Sequence, residues 1–498
     1  MLLHPTSLPG VHGVGDLGPA AWRFAEFLRA AGQRWWQMLP LGPPGLGESP
    51  YNALSAFAGN PLLLSLDGLV ADGLLDRGEL RATPPLPAER VEFAGVARFK
   101  EARLRQAFAT LTRRGSAEDR AALDGFRRGA APWLPDYALF RALKDAHGGA
   151  AWTTWPADLR ARRPDGLQAA ASELAAEIHY HEFLQHLFAR QWSALRRHAQ
   201  ALGVGLIGDI PIYVAADSAD VWAHPELFRL DPGGQPEVVA GVPPDYFSET
   251  GQRWGNPVYR WDVMREQGYR WWIDRFRVTF ERFDAARLDH FIGFVRFWEV
   301  PAERPDARGG RWVPGPGREL FEAVSTALGP LELIAEDLGS VTPEVTALRE
   351  ELGFPGMRVL QFVLGGDLDG DAAPDRYPRR SVVYTGTHDN DTAQGWFRMG
   401  GLDPDTSPAE IERRRQVILR QLGSDGREMH WDMIRLALST PSDLAIMPVQ
   451  DLLGLGPAAR MNLPASRAGN WEWRLADGAL TPALAERLLA VTRAHGRA

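Results

Sequence analysis

Four short polar motifs stand at the ends of apolar runs, and their residue types suit nucleophilic and acid–base chemistry. Arg287-Leu288-Asp289-His290-Phe291 closes one run. Arg287 and Asp289 are two apart, so on a strand they face the same side. A guanidinium beside a carboxylate favours the ionised form that a nucleophile needs. A barrel-stabilising ion pair would use the same two residues. Ile334-Ala335-Glu336-Asp337-Leu338-Gly339 puts Glu336 at the end of a second run, where burial raises a carboxyl pKa towards the range of a general acid. The plainer reading is a carboxylate that caps the next helix, and Asp337 suits that role equally well. Thr385-Gly386-Thr387-His388-Asp389-Asn390-Asp391 is dense in polar groups, and His388 and Asp389 suit the hydroxyls of a distorted sugar ring. A metal site competes there, but no second histidine stands nearby at ligand spacing. In Gly208-Asp209-Ile210-Pro211-Ile212-Tyr213, Asp209 ends a further apolar run. Taken singly, each carboxylate is more often a cap or an ion-pair partner. Three on different strands of one barrel fit retaining glycoside chemistry: one attacks the anomeric carbon, one donates and then accepts a proton, and one binds the ring.

These motifs need a frame that brings them together. Short apolar runs at 35–41, 205–213, 285–289, 331–337, 357–364, 381–387 and 443–449 read as strands buried on both faces, with 61–66 as a weaker eighth. Helical spacing covers 20–31, ended by Gly32, and 177–202, ended by Gly203. A third helix is expected at 343–352, with Thr342 as N-cap and Gly353 after it. The alternation predicts an α/β fold, a single (β/α)8 TIM barrel over residues 1–498, with its active site at the C-terminal strand ends. The strand spacing is uneven. It predicts a mostly helical insertion over about 67–200 and a second insertion over about 214–282.

Composition narrows the classes. Of 498 residues, 45% are hydrophobic and 24% charged, which argues for a globular chain. A net charge of −8 argues against nucleic acid and anionic membrane as partners. With no cysteine, disulfides, thiolate metal sites and a cysteine nucleophile are excluded. The N-terminus, MLLHPTSLPG, lacks a basic segment followed by a long apolar core, and no apolar run approaches the length of a membrane span, so the cytoplasm is the expected setting. No Gly-rich phosphate loop follows a strand, so no metal or organic cofactor is expected. The 18 tryptophans are mostly core residues on this reading, with a minority free to stack on a pyranose face.

The motifs continue over nearly the whole chain: SLPG at 7–10, GVGDLG at 13–18, WWQMLPLGP at 35–43, SPYNALSAFAGNP at 49–61, GDIPIYVAADSADVW at 208–222, PPDYFSETGQRWGNPVYRW at 243–261, RLDHF, AEDLG, THDND, RMNLP and GNWEWR. In this order they resemble the 4-α-glucanotransferases of glycoside hydrolase family 77, called amylomaltases or disproportionating enzymes. The resemblance implies a (β/α)8 core with inserted subdomains and no C-terminal β-sandwich. It implies Asp289 as nucleophile, Glu336 as acid/base and Asp389 as the third carboxylate, with Arg287 and His388 beside them. It implies substrate contacts at Tyr51, Asp245, Trp254 and Asn462, the segment 245–255 and the loop around Asn462 covering the site. Asp209 and His290, in motifs of the same match, join the candidate substrate contacts. The implied partners are maltooligosaccharides, amylose or other α-1,4-glucans, and glucose as acceptor. The chain departs from the family at Glu92-Phe93, which bears on a glucan contact near Phe93, and at Ala465, which stiffens the loop around Asn462. An α-glucan hydrolase with the same carboxylates is the second reading, and a catalytically inactive glucan-binding barrel the third; the intact trio argues against the latter.

Overall fold

A computed structural model describes residues 1–498 apart from 82–83, 245–247, 403–405, 465 and 467, and apart from the side chains at 46 and 371. Its strands, in chain order, are β1 (Trp35–Gln37), β2 (Gly205–Ile210), β3 (Val238–Val242), β4 (Gln252–Pro257), β5 (Ala285–Leu288), β6 (Arg296–Pro301), β7 (Arg311–Pro314), β8 (Leu333–Ala335), β9 (Gly356–Val359), β10 (Ser381–Tyr384) and β11 (Leu444–Ile446). Runs such as SVVY are buried along their whole length, as strands covered on both faces must be. Seven of them form one parallel sheet in the order β1-β2-β5-β8-β9-β10-β11.

The gap between β11 and β1 is filled by the N-terminus. Leu2 bridges in parallel to both Gln37 and Pro448. Its N–H donates to the Met447 carbonyl at 2.9 Å, and Val449 N–H donates back to the Leu2 carbonyl at 3.1 Å. Residues 1–3 are thus the eighth stave, and the fold is the expected (β/α)8 barrel. The expected eighth strand at 61–66 is instead a 3-10 turn, Pro61–Leu63, running into the helix Leu66–Ala71. Pro61 has no N–H for a ladder, and the Asn60 and Ser65 side chains each cap a helical N–H, that of Leu62 and that of Gly68.

The helices Pro19–Ala30, Ala175–Ala201 and Pro343–Leu352 form where the spacing places them. Gly353 ends the last in the left-handed region at φ 74°. Between residues 67 and 200 the chain is helical, including Phe93–Arg114, Ala117–Gly129 and Leu134–Ala146. The region after β2 holds something the apolar pattern did not mark: an antiparallel sheet in the order β4-β3-β6-β7. Two of its strands follow β5, so this layer runs past residue 282. β4 is largely exposed and carries Gly and Pro, which is why no apolar run announces it.

The barrel interior explains how the charged motifs converge. Ile207, Ala285 and Ile334 belong to one buried cluster with Leu2, Met357, Val382 and Ile446. Two residues further along the same three strands, and so on the same face, stand Asp209, Arg287 and Glu336. The interior is therefore apolar below and charged at its C-terminal mouth. Leu2 seals one stave of that apolar layer and is 5% exposed. Leu2→Ala is expected to cost about 2–5 kcal/mol, read as a lower denaturant midpoint; a change under about 0.5 kcal/mol would show that the stave does not carry the barrel.

Candidate active site

At the barrel mouth the register sets the first contact. Asp209 on β2 pairs directly with Arg287 on β5. Arg287 Nη1 donates to both Asp209 oxygens, at 2.8 and 2.7 Å, and Nη2 donates to Asp289 Oδ1 at 2.8 Å. The Tyr51 hydroxyl donates to Asp209 Oδ2 at 2.7 Å. Burial, reinforced by the Asp209 charge, pushes the Tyr51 pKa up, so that hydroxyl remains a donor. Burial pushes the Asp209 carboxyl up as well, and the two-point contact with Arg287 pulls it back. Asp209, whose side chain is fully buried, has both oxygens engaged, whereas the Asp289 side chain is 27% exposed and meets Arg287 through Oδ1.

Glu336 follows β8, its N–H donating to the Leu288 carbonyl at 3.0 Å. Its Oε2 accepts the His290 N–H at 2.7 Å, and its Oε1 accepts the Leu338 N–H at 2.9 Å. His290 makes the first contact from a left-handed backbone, φ 50°, which is uncommon for a non-glycine residue and marks a spot where tertiary contacts override local preference. Burial pushes the Glu336 pKa up to about 8; the Asp289 charge adds to this, while Arg287 and the two backbone donors oppose it. A carboxyl so placed holds its proton at neutral pH. Glu336 Oε2 lies 4.0 Å from the same Arg287 Nη2 that holds Asp289.

The third carboxylate stands on the loop after β10. Asp389 Oδ1 accepts from Asn462 Nδ2 at 2.6 Å and lies 3.4 Å from His388 Nε2. His388 is buried, which lowers its pKa and favours the neutral ring. It stacks on Tyr51 with ring centres 5.0 Å apart. The loop carrying Asn462 is bound across this motif: Asn462 N–H donates to the His388 carbonyl at 3.1 Å. Arg460, which the sequence reading passed over, donates to the carbonyls of both Asp389, at 2.6 Å, and Asn462, at 2.7 Å. Trp471 was passed over too; its ring lies 5.8 Å from Tyr51 and 6.0 Å from His388. Both fall inside the motifs RMNLP and GNWEWR, but nothing local in them signals these contacts.

Trp254 on β4 stands over the mouth, 38% exposed, with its ring edge-on to His290 at 4.9 Å and 6.3 Å from Tyr213. Of the candidate residues, the structure gathers Tyr51, Asp209, Arg287, Asp289, Glu336, His388, Asp389 and Asn462 around one opening, with His290 and Trp254 on its wall. Asp245 and Ala465 lie outside the described residues. Among the described residues, one group could hold a metal ion: Asp145, Glu177 and His181, far along the chain on the helical layer. Arginines already occupy it, Arg105 at 2.7 Å from Glu177 and Arg141 at 3.1 Å from Asp145, which makes it an ion-pair network.

A closed parallel barrel with paired carboxylates and a polar, aromatic-walled mouth defines a TIM-barrel enzyme of the glycoside-processing class. The family model described as 4-alpha-glucanotransferase, glycoside hydrolase family 77, matches residues 3–481. The 4-alpha-glucanotransferase of Thermus thermophilus is 49% identical over 500 residues, covering 100% of this chain and 98% of that protein. That of Synechocystis sp. is 46% identical over 501 residues, with 100% and 97% covered. The amylomaltase of Streptococcus agalactiae, solved in complex with acarbose, matches with a TM-score of 0.94 at 34% identity, with 100% and 99% covered. The chain belongs to this family and is a 4-alpha-glucanotransferase.

Arg460 ties the backbones of Asp389 and Asn462 together. Arg460→Ala is expected to leave the fold intact and lower kcat/KM by roughly 10–100-fold, the scale of an ångström-sized misplacement. Unchanged kinetics would show that the two loops hold their positions without it.

Proposed function

We propose that this enzyme transfers α-1,4-glucan segments between maltooligosaccharides, or to glucose, by a retaining double displacement. The Asp289 carboxylate attacks the anomeric carbon while protonated Glu336 gives its proton to the glycosidic oxygen, which leaves as a free 4-hydroxyl. The ionised Glu336 then takes the proton of an incoming 4-hydroxyl as that oxygen displaces Asp289. One observation carries this reading: Asp289 Oδ1 and Glu336 Oε2 sit 2.8 and 4.0 Å from one guanidinium nitrogen. Their separation cannot exceed the sum of those distances, which lies below most of the roughly 6.5–9.5 Å span that seats a water in inverting enzymes.

Asp389, held by Asn462 and flanked by His388, binds the hydroxyls of the distorted ring on this reading. Arg287 and Asp209 orient Asp289, and Tyr51 and Trp254 offer faces to sugar rings. Asp245 is assigned to the acceptor on resemblance alone. That the related amylomaltase was solved in complex with acarbose supports a sugar-binding role for this chain. The regions 67–200 and 214–282 are read as insertions in one catalytic domain.

Transfer and hydrolysis share the first step and differ in what attacks the intermediate. Transfer needs an acceptor held in line and water kept out. On this reading Trp254, the segment 245–255 and the loop around Asn462 take that role. Among the described residues no helix is long and apolar enough to cross a membrane, and the proposed setting is the cytoplasm.

Incubation with maltotriose alone tests the whole reading. Glucose plus a ladder of longer oligosaccharides is expected, with little gain in reducing ends. Rising reducing ends and no product longer than the substrate would establish a hydrolase. Trp254→Ala should raise the ratio of hydrolysis to transfer more than it lowers bond cleavage. Asp289→Asn and Glu336→Gln should each remove about 10²–10⁴-fold or more of kcat with circular dichroism unchanged; near-normal turnover by either folded variant would remove its assignment. The acid form of Glu336 is the one required by the free enzyme, so kcat/KM should fall as pH rises through about 8. An alkaline limb that is still flat well above that pH would mean another group donates the proton.

A further inference from the structure

Asp389 has no strand to fix it. It lies past the end of β10, and its side chain is 47% exposed. Its position is therefore set by the turn that carries it, and that turn is closed on itself. Asn390 Oδ1 accepts both the N–H and the hydroxyl of Thr387, each at 2.8 Å. Thr387 Oγ1 accepts the Asp389 N–H in turn, at 3.3 Å. A turn bonded in this way moves as one body, so whatever holds its two ends aims Asp389 and His388.

Both ends meet one carboxylate. Thr385, directly after β10, donates its hydroxyl to Asp451 Oδ2 at 2.6 Å. Ala393, the first residue of the helix Ala393–Arg398, donates its N–H to Asp451 Oδ1 at 2.7 Å. Asp451 stands in the short helix Val449–Leu452 just after β11, and Val449 joins that helix to the stave at Leu2. Asp451 is 1% exposed, and Thr385 is fully buried. The turn is thus held from the barrel by Asp451 and from the wall by Arg460 and Asn462.

A neutral side chain would cap the helix Ala393–Arg398 as well as a carboxylate does. Burial pushes the Asp451 pKa up to about 6; the Ala393 N–H and the Thr385 hydroxyl oppose this, and the Asp391 charge adds to it. At neutral pH the group is ionised. It then faces two neutral donors and, among the described residues, no cation within ion-pair distance. Burying a charge on such terms is unfavourable. An asparagine of the same shape would offer Ala393 an acceptor and Thr385 a donor without that penalty. What the carboxylate adds is two charge-assisted bonds at once, each about twice as strong as a neutral one. A locally unfavourable group of this kind is tolerated where it holds a functional constellation in place.

We propose that Asp451 is a positioning residue for glucan transfer: its carboxylate clamps both ends of the turn 385–393 and so fixes Asp389 and His388 against the reacting ring. This rests on the assignment of Asp389 to the distorted ring. That contact strengthens as the ring distorts, so losing the clamp raises the barrier and leaves ground-state binding nearly intact.

Steady-state kinetics of the full chain on maltotriose, expressed per folded enzyme, test this. Asp451→Ala should lower kcat by roughly 10–100-fold while KM stays within about threefold. Asp451→Asn keeps an acceptor for Ala393 and a donor for Thr385, so it should restore most of that loss. It should also raise the denaturant midpoint at neutral pH, because it sheds the buried charge. If Asp451→Ala does not fold, Thr385→Val, which removes one of the two contacts and keeps the shape, should lower kcat in the same way, and Thr385→Ser should restore it. Wild-type kcat in the folded variant, a loss confined to KM, or an asparagine variant no faster than the alanine one would each overturn the proposal. Near-normal kcat in Asp389→Asn would instead remove the assignment on which it rests.

Discussion

The active site depends on keeping one guanidinium charged in a place that water scarcely reaches. Arg287 is 5% exposed and sits among Asp209, Asp289 and Glu336. Desolvating such a group is unfavourable unless its donors are met with good geometry. Asp209 takes Nη1 between its two oxygens from the neighbouring strand, and Asp289 takes Nη2. This leaves Asp289 aligned with one oxygen free. Glu336, 4.0 Å away and buried against backbone donors, sits beyond hydrogen-bonding reach of Arg287 and retains its proton. Two carboxyl groups share one cation yet differ in how tightly it holds them, and this difference separates nucleophile from acid in the proposed mechanism.

The rest of the site divides by how its residues are held. Asp209, Arg287, Asp289 and Glu336 stand on or directly after strands whose register is set by the barrel ladder, so their spacing is as rigid as the sheet. Asp389, Asn462 and Trp254 belong to the walls. Those walls are tied by polar contacts across sequence: Asn462 to Asp389 and His388, Arg460 to both loop backbones, and Trp254 against His290. A wall joined by a few hydrogen bonds and ring contacts opens more readily than a strand does. The proposed transfer, which would admit a glucan, exchange acceptors and hold water back, draws on that contrast.

The strands of the inner barrel could be read from the chain because both faces of each are covered, which demands unbroken short apolar runs, and because residues two apart on a strand share a face. Hence Asp209, Arg287 and Glu336 could be placed at one end of the interior before any coordinates. The motifs also supplied Asp389, His388, Tyr51, Trp254 and Asn462, through resemblance and not through spacing. The helix boundaries near Gly32, Gly203 and Gly353 were legible because glycine accepts the left-handed turn that ends a helix.

What the chain does not show locally is decided by partners distant in sequence. Leu2 becomes a stave only because β11 and β1 leave it donors and acceptors on both sides, while residues 61–66, apolar enough for a strand, become helical turns under a proline and two side-chain caps. The antiparallel sheet is invisible to periodicity because β4 is exposed and borrows its order from β3. Arg460 looks like any surface arginine until the fold brings the carbonyls of Asp389 and Asn462 within its reach. His290 adopts a left-handed backbone that only its contact with Glu336 explains. The alternation of apolar and polar types along each segment was a property of the sequence alone, since it reflects which face must leave water. The pairing of charges, the closing of the barrel and the strapping of the loops belong to the tertiary structure, because each depends on distances between residues that local preference cannot specify.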